Sequence, residues 1–108
     1  MVPDNSGLTG TPAQVEWAER IRLSVDKEFD RVAGVFQALM SRQTAAKQAE
    51  TRAVLAILEQ KRTEAMGHTR AGYFIREWQE LSDQVRRMIA QDPRYQAIQA
   101  EREKWIKD

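Results

Sequence analysis

The chain has 108 residues, 42% of them hydrophobic, with 17 basic and 16 acidic side chains and a formal net charge of +1. That length fits one domain with a single core, and the near-neutral balance excludes both the basic excess of a typical polyanion binder and the acidic excess of a DNA mimic. No cysteine is present, so disulfides, thiolate catalysis and cysteine metal sites are excluded.

Ala, Glu, Gln, Lys and Arg dominate, and alternating runs of β-branched residues are missing. These residues favour helices, and the predicted class is all-α. No stretch approaches the ~20 apolar residues of a membrane span. The opening MVPDNSGLTG has neither the charged nor the apolar part of a secretory signal. A cytoplasmic protein is the expectation.

Residues 1–10, rich in Pro, Asp, Asn, Ser and Gly, read as a flexible tail, and 11–108 as a single helical domain. Thr11 is a good N-cap, Pro12 sits where its missing N–H costs nothing, and Gln14 completes a capping box. The first helix is predicted from Thr11 to about Met40. Its apolar seam is Val15, Ala18, Val25, Phe29, Val32, Phe36 and Leu39, spaced alternately by three and four, with Arg22 filling one gap. Ile21 and Val35 widen the seam, while Trp17 and Leu23 lie off it. A surface that wide suits a bundle. At ~1.5 Å per residue this helix is about 45 Å long, more than a compact chain of this size can cover, so part of it should project and meet a partner.

The polar Ser41–Thr44 stretch predicts a turn, although a continuous helix through it is sterically open. A second helix runs from about Thr44 to Met66 and ends at Gly67. Thr69 is positioned to cap a third, from about Arg70 to Gln91, with the seam Phe74, Trp78, Leu81, Val85 and Met88. Asp92-Pro93 then repeats the cap-plus-proline start. A fourth helix runs to about Ile106, with Tyr95, Ile98, Trp105 and Ile106 inward. The predicted architecture is a bundle of three to four helices with a long N-terminal one.

The chemistry-bearing residues are sparse. His68 is the only histidine and sits in a turn without further ligands near it. Asp26 and Asp30, one turn apart, read as a solvated face, since a bundle metal site needs histidines on other helices. Neither GxxxxGK[ST] nor GxGxxG occurs. Gly67–Arg70 has the makings of a weak anion site at a helix start. No catalytic constellation, metal site or cofactor motif stands out, and the expectation is a protein that is not an enzyme and carries no cofactor.

Two binding readings remain. The first is a protein interface built on Trp17, Ile21, Arg22, Leu23 and Val35, because tryptophan is a frequent interface anchor and Trp17 lies off the seam. Self-association into a homodimer is the simplest way to cover such a face. The second is nucleic-acid binding through the basic segment 42–76, which holds seven basic groups against three acidic. There Lys61, Arg62, Arg70 and Arg76 flank a turn that invites a helix-turn-helix reading.

The stretch Thr11-Pro12-Ala13-Gln14-Val15-Glu16-Trp17-Ala18-Glu19-Arg20-Ile21-Arg22 resembles a T-P-x-Q-x-x-W-A-E-x-I-R opening of small helical proteins of bacteria, phages and mobile elements. A looser likeness covers Tyr73-Phe74-Ile75-Arg76. That resemblance carries no active site. It implies an accessory protein of a phage or mobile element that acts by binding a host protein or nucleoprotein complex, as inhibitors of CRISPR immunity do.

Overall fold

The computed structural model describes residues 7–107, and the side chains of all these except Ser82 and residues 102–107. Five helices follow one another: α1 Pro12–Met40, α2 Ala45–Met66, α3 Ala71–Glu77, α4 Leu81–Gln91 and α5 Pro93–Lys107. Among the described residues there is no strand, only one isolated bridge.

α1 begins as predicted. Gln14 N–H donates to Thr11 Oγ1 at 3.2 Å and Thr11 N–H donates to Gln14 Oε1 at 3.0 Å, so the capping box is complete. The chain turns at 41–44 instead of continuing as one helix. Thr44 caps α2, and buried Thr51 donates to Gln43 Oε1 at 2.7 Å, tying the turn back onto α2. α1 and α2 then run antiparallel. Gln48 donates to the Met40 carbonyl at one end, and Arg22 donates to the Met66 carbonyl at the other.

The predicted third helix is two helices. Trp78 (φ −116°, ψ 46°) and Glu80 (φ −111°, ψ 47°) leave helical geometry. Trp78 is buried edge-on against Phe29, with ring centroids 6.0 Å apart, and its indole N–H donates to the Tyr73 hydroxyl. The Gln84 side-chain amide donates to the Glu77 carbonyl, replacing a helical bond lost at the break. A straight helix would carry Val85 and Ile89 off the end of the core. The bend returns both to it, against α1 and α2.

Two further local expectations change. Thr69 does not cap α3; Arg70 holds that position with no side-chain cap. The Thr69 carbonyl instead accepts from Thr9 N–H at 2.7 Å, and Ala71 N–H donates to the Thr9 carbonyl at 2.9 Å. The predicted tail therefore ends earlier than Gly10. Leu8 is only 4% exposed and belongs to the core, and Thr9 pairs in parallel with Arg70. Gly10 has φ 150°, and an added Cβ there would meet Ala71 Cβ at 3.2 Å, so a glycine suits this close approach. The rest of the predicted tail, residues 1–6, lies outside the described residues, as do the Trp105 and Ile106 side chains expected to point inward.

The core joins Ala18, Val25, Phe29 and Val32 of α1 to Val54, Leu58 and Ala65 of α2, Phe74 of α3, and Val85 and Ile89 of α4. The overall shape is long and thin, 63 × 23 × 18 Å, with a radius of gyration of 17.0 Å. A compact chain of this length would have about 13 Å. α1 is the spine, touching α2, α3 and α4, while α5 packs on α2 and α4.

Candidate protein-binding surface

On a helix with 3.6 residues per turn, Trp17 and Val35 lie about five turns apart on one azimuth, and Leu39 follows one turn later. All three face water, at 57%, 52% and 46% exposure. Leu23 is also 57% exposed, but it points about 120° away from Trp17 and Val35. It lies in a separate shallow hollow with Glu19, Arg22, Asp26 and Met66. The five residues expected to form one interface therefore divide. Trp17 and Val35 share one face and Leu23 belongs to another. Ile21 is half-buried and packed against the core.

Arg22 has a structural task. Its guanidinium donates to the Met66 carbonyl at 3.3 Å. The last carbonyls of a helix are orphaned and carry the negative end of its dipole, so a cation there is favourable. A charge at a seam position is thus accommodated by a helix end.

Around Val35 the surface deepens into a groove of about 360 Å³. Val32, Val35 and Phe36 of α1 form one wall, Ile89 and Ala90 of α4 the other, and Tyr95 of α5 closes one end. Arg31 and Arg86 stand on the two rims. Arg31 is held by Glu28 through three hydrogen bonds, which raise the pKa of its guanidinium. Arg86 makes no hydrogen bond or ion pair among the described residues.

The groove exists because α5 turns away from α4 at Asp92. The Asp92 carboxylate is buried and gripped by Arg94, whose backbone N–H, Nε and Nη2 all donate to it at 2.8–3.0 Å. Lys61 of α2 adds an ion pair at 3.2 Å. The Arg94 hydrogen bonds, with Lys61 assisting, hold this carboxyl well below the usual carboxylate range, and Arg94 is raised in return. One acidic side chain thus sets the angle that leaves Tyr95 at the groove and Val35 uncovered.

The basic residues do not assemble into an open patch. Lys61 is engaged by Asp92. Arg62 pairs with Asp30, lies 3.6 Å from Asp26 Oδ1, donates to the Asp26 carbonyl at 3.3 Å and sits over the Phe29 ring. Arg76 donates to the Gly72 carbonyl, while Arg70 is exposed beside the Thr9 bridge. Asp26 and Asp30 thus hold an arginine across the α1–α2 seam. α3 has only seven residues, and Tyr73 on it is covered by a parallel stack on His68 at 3.5 Å. No cluster of three or more potential metal ligands occurs among the described residues. No described helix is long and apolar enough to cross a membrane.

Sequence reasoning missed Leu39, which the heptad pattern placed inward, and the groove residues Ile89, Tyr95 and Arg86. Leu39 is 46% exposed although α2 runs back along this end of α1. No local signal marks the others, since they meet Val35 only through the α4–α5 turn.

No family model matches the chain, and neither the curated proteins nor the solved structures give a match.

Proposed function

We propose that the chain is a non-enzymatic helical interaction module of the cytoplasm. In this reading it is an accessory protein of a phage or mobile element that binds and modulates a host protein or nucleoprotein complex, as an inhibitor of CRISPR immunity does. The observation that carries the interaction reading is one helix, α1, exposing Trp17, Val35 and Leu39 on one side and Leu23 on another. Single exposed apolar residues are ordinary, but Val35, with Leu39 one turn further on, borders an apolar groove, and an apolar patch beside a groove is characteristic of binding surfaces. The genomic setting rests on the resemblance of Thr11–Arg22. The nucleic-acid alternative is weakened by the carboxylates that already hold Lys61 and Arg62.

The test is affinity capture from a bacterial host lysate with the native chain, Val35→Asp and Leu23→Asp. Capture of a specific protein by the native chain, lost in either variant, supports the reading. Equal capture by all three, or binding of DNA that falls steeply with salt while protein capture is absent, would overturn it.

A further inference from the structure

The groove at Val35 is lined by apolar side chains and two arginines, with no carboxylate among them. The stretches that form its walls have the same bias. Residues 31–49 contain Arg31, Arg42 and Lys47 without an Asp or Glu, and residues 84–91 contain Arg86 and Arg87 without one. Arg31 is neutralised by Glu28 and Arg87 by Glu80. Arg42 and Arg86 are exposed, and their side chains make no hydrogen bond or ion pair among the described residues. Asp83, one turn before Arg86, forms no ion pair with it. We propose that the groove seats an acidic segment of a partner protein, which places a large apolar side chain between α1 and α4 and carboxylates on Arg86 and Arg42. The proposal deepens the interaction-module reading and rests on it.

This surface is open. Val35, Ala38, Leu39 and Ala90 all face water. Leu39 continues the α1 wall one turn past Val35, and Arg42 stands in the turn after it, its backbone N–H on the Leu39 carbonyl at 3.0 Å. From Arg31 to Arg42 the strip is ~16 Å long at ~1.5 Å per residue. Charge decides what covers it. A neutral apolar partner would take the Arg86 guanidinium out of water with nothing to pair it, and a buried unpaired charge is strongly unfavourable. A basic partner would add repulsion. A segment that carries both an apolar side chain and carboxylates buries the walls and pairs the arginines by charge-assisted hydrogen bonds, which the guanidinium fork favours. The apolar walls enclose about 360 Å³, at the small end of ordinary ligand pockets, roughly 300–1,000 Å³. A side chain enters such a concavity, whereas the flat face of a bilayer does not. The same walls offer a nucleic-acid backbone no hydrogen-bond donor. The Leu23 hollow lies on the other side of α1 and takes no part.

Selection from a ribosome-displayed library of random peptides on the immobilised full chain tests this, with Val35→Asp as the counter-selection. The enriched peptides should combine large apolar residues with an excess of Asp and Glu. Fluorescence anisotropy then gives the affinity of one such peptide. Val35→Asp and Arg86→Glu should each weaken it by at least about 10-fold, through loss of the apolar seat and of the charge pair, and Arg42→Glu should weaken it in the same direction. Leu23→Asp should leave it unchanged. The same peptide with lysine at its acidic positions should fail on the native chain and regain affinity on Arg86→Glu, a rescue that a merely structural role of Arg86 would not give. Far-UV circular dichroism checks that each variant is folded, which the exposure of these residues favours. No enrichment dependent on Val35, enrichment of neutral or basic peptides, indifference to Arg86→Glu, or Val35-dependent binding to phosphatidylglycerol vesicles in place of peptides would each overturn the proposal. Specific capture of a lysate protein that Leu23→Asp abolishes, with no acidic peptide selected, would refute this occupant of the groove and leave the interaction module standing.

Discussion

Leu8→Ala separates a docked segment from a loose tail. Leu8 is 4% exposed and packs into the core, and the backbone beside it makes two hydrogen bonds to the α2–α3 turn, at 2.7 and 2.9 Å. Truncating a buried leucine removes the transfer energy of its lost methyl groups and leaves a void, typically costing about 2–5 kcal/mol. Leu8 lies at the edge of the core and its segment can partly follow the shortened side chain, so about 2–3 kcal/mol is expected. Releasing the segment also deprives Ala71 N–H of its acceptor, and Ala71 is fully buried; an orphaned buried donor is costly in itself. For a domain of this size each kcal/mol moves the midpoint by about 4–8 °C, so Tm should fall by roughly 10–20 °C. Thermal and urea unfolding followed by far-UV circular dichroism measure the change, and hydrogen exchange at Ala71 should accelerate with it. A Leu8→Ala midpoint indistinguishable from the native one, with Ala71 protection unchanged, would refute the docking of this segment.

Trp78→Ala should cost about 3–5 kcal/mol, since it empties the contact with Phe29 at the α3–α4 bend; urea midpoints and near-UV circular dichroism report it. Arg62→Ala should cost about 1–3 kcal/mol by removing charge-assisted bonds to Asp30 and the Asp26 carbonyl. Its affinity for DNA should not change, which gel shifts at low salt check. Asp92 gives a pH signature. Its carboxyl is depressed below its ordinary value of 3.8, so the folded state favours the ionised form. That contribution is full above about pH 4 and is lost as pH falls towards the depressed folded value. Native stability should decline with acid in this window. Asp92→Asn should be less stable at neutral pH and show a shallower decline, measured by urea titrations at several pH values.

Signals confined to a few adjacent residues were the ones readable in advance. Thr11-Pro12-Ala13-Gln14 builds its capping box from its own side chains, and Thr44 and Asp92-Pro93 mark helix starts by the same local chemistry. Inward positions such as Val25, Phe29 and Val85 follow from helical period alone. The break at Trp78 was not legible, because its cause is Phe29, far away in the chain. Arg22 was seen as the exception in the seam, but its acceptor, the Met66 carbonyl, sits at the far end of another helix. Lys61 and Arg62 look like accessible cations in sequence, and only packing brings Asp92, Asp26 and Asp30 to them.

The sequence by itself determined that this chain is helical, where its long first helix starts, and which faces are apolar; it favoured a turn near 41–44, which the structure decided. These depend on caps, prolines and periodicity, interactions that act within a turn or two. Only the tertiary structure decided which apolar residues stay in water. Val35 stays open because α4 and α5 diverge beside it and leave a groove, and Leu8 is closed because Thr9 pairs with the α2–α3 turn. Exposure depends on the angles between helices, and those angles are set by contacts between residues distant in the chain.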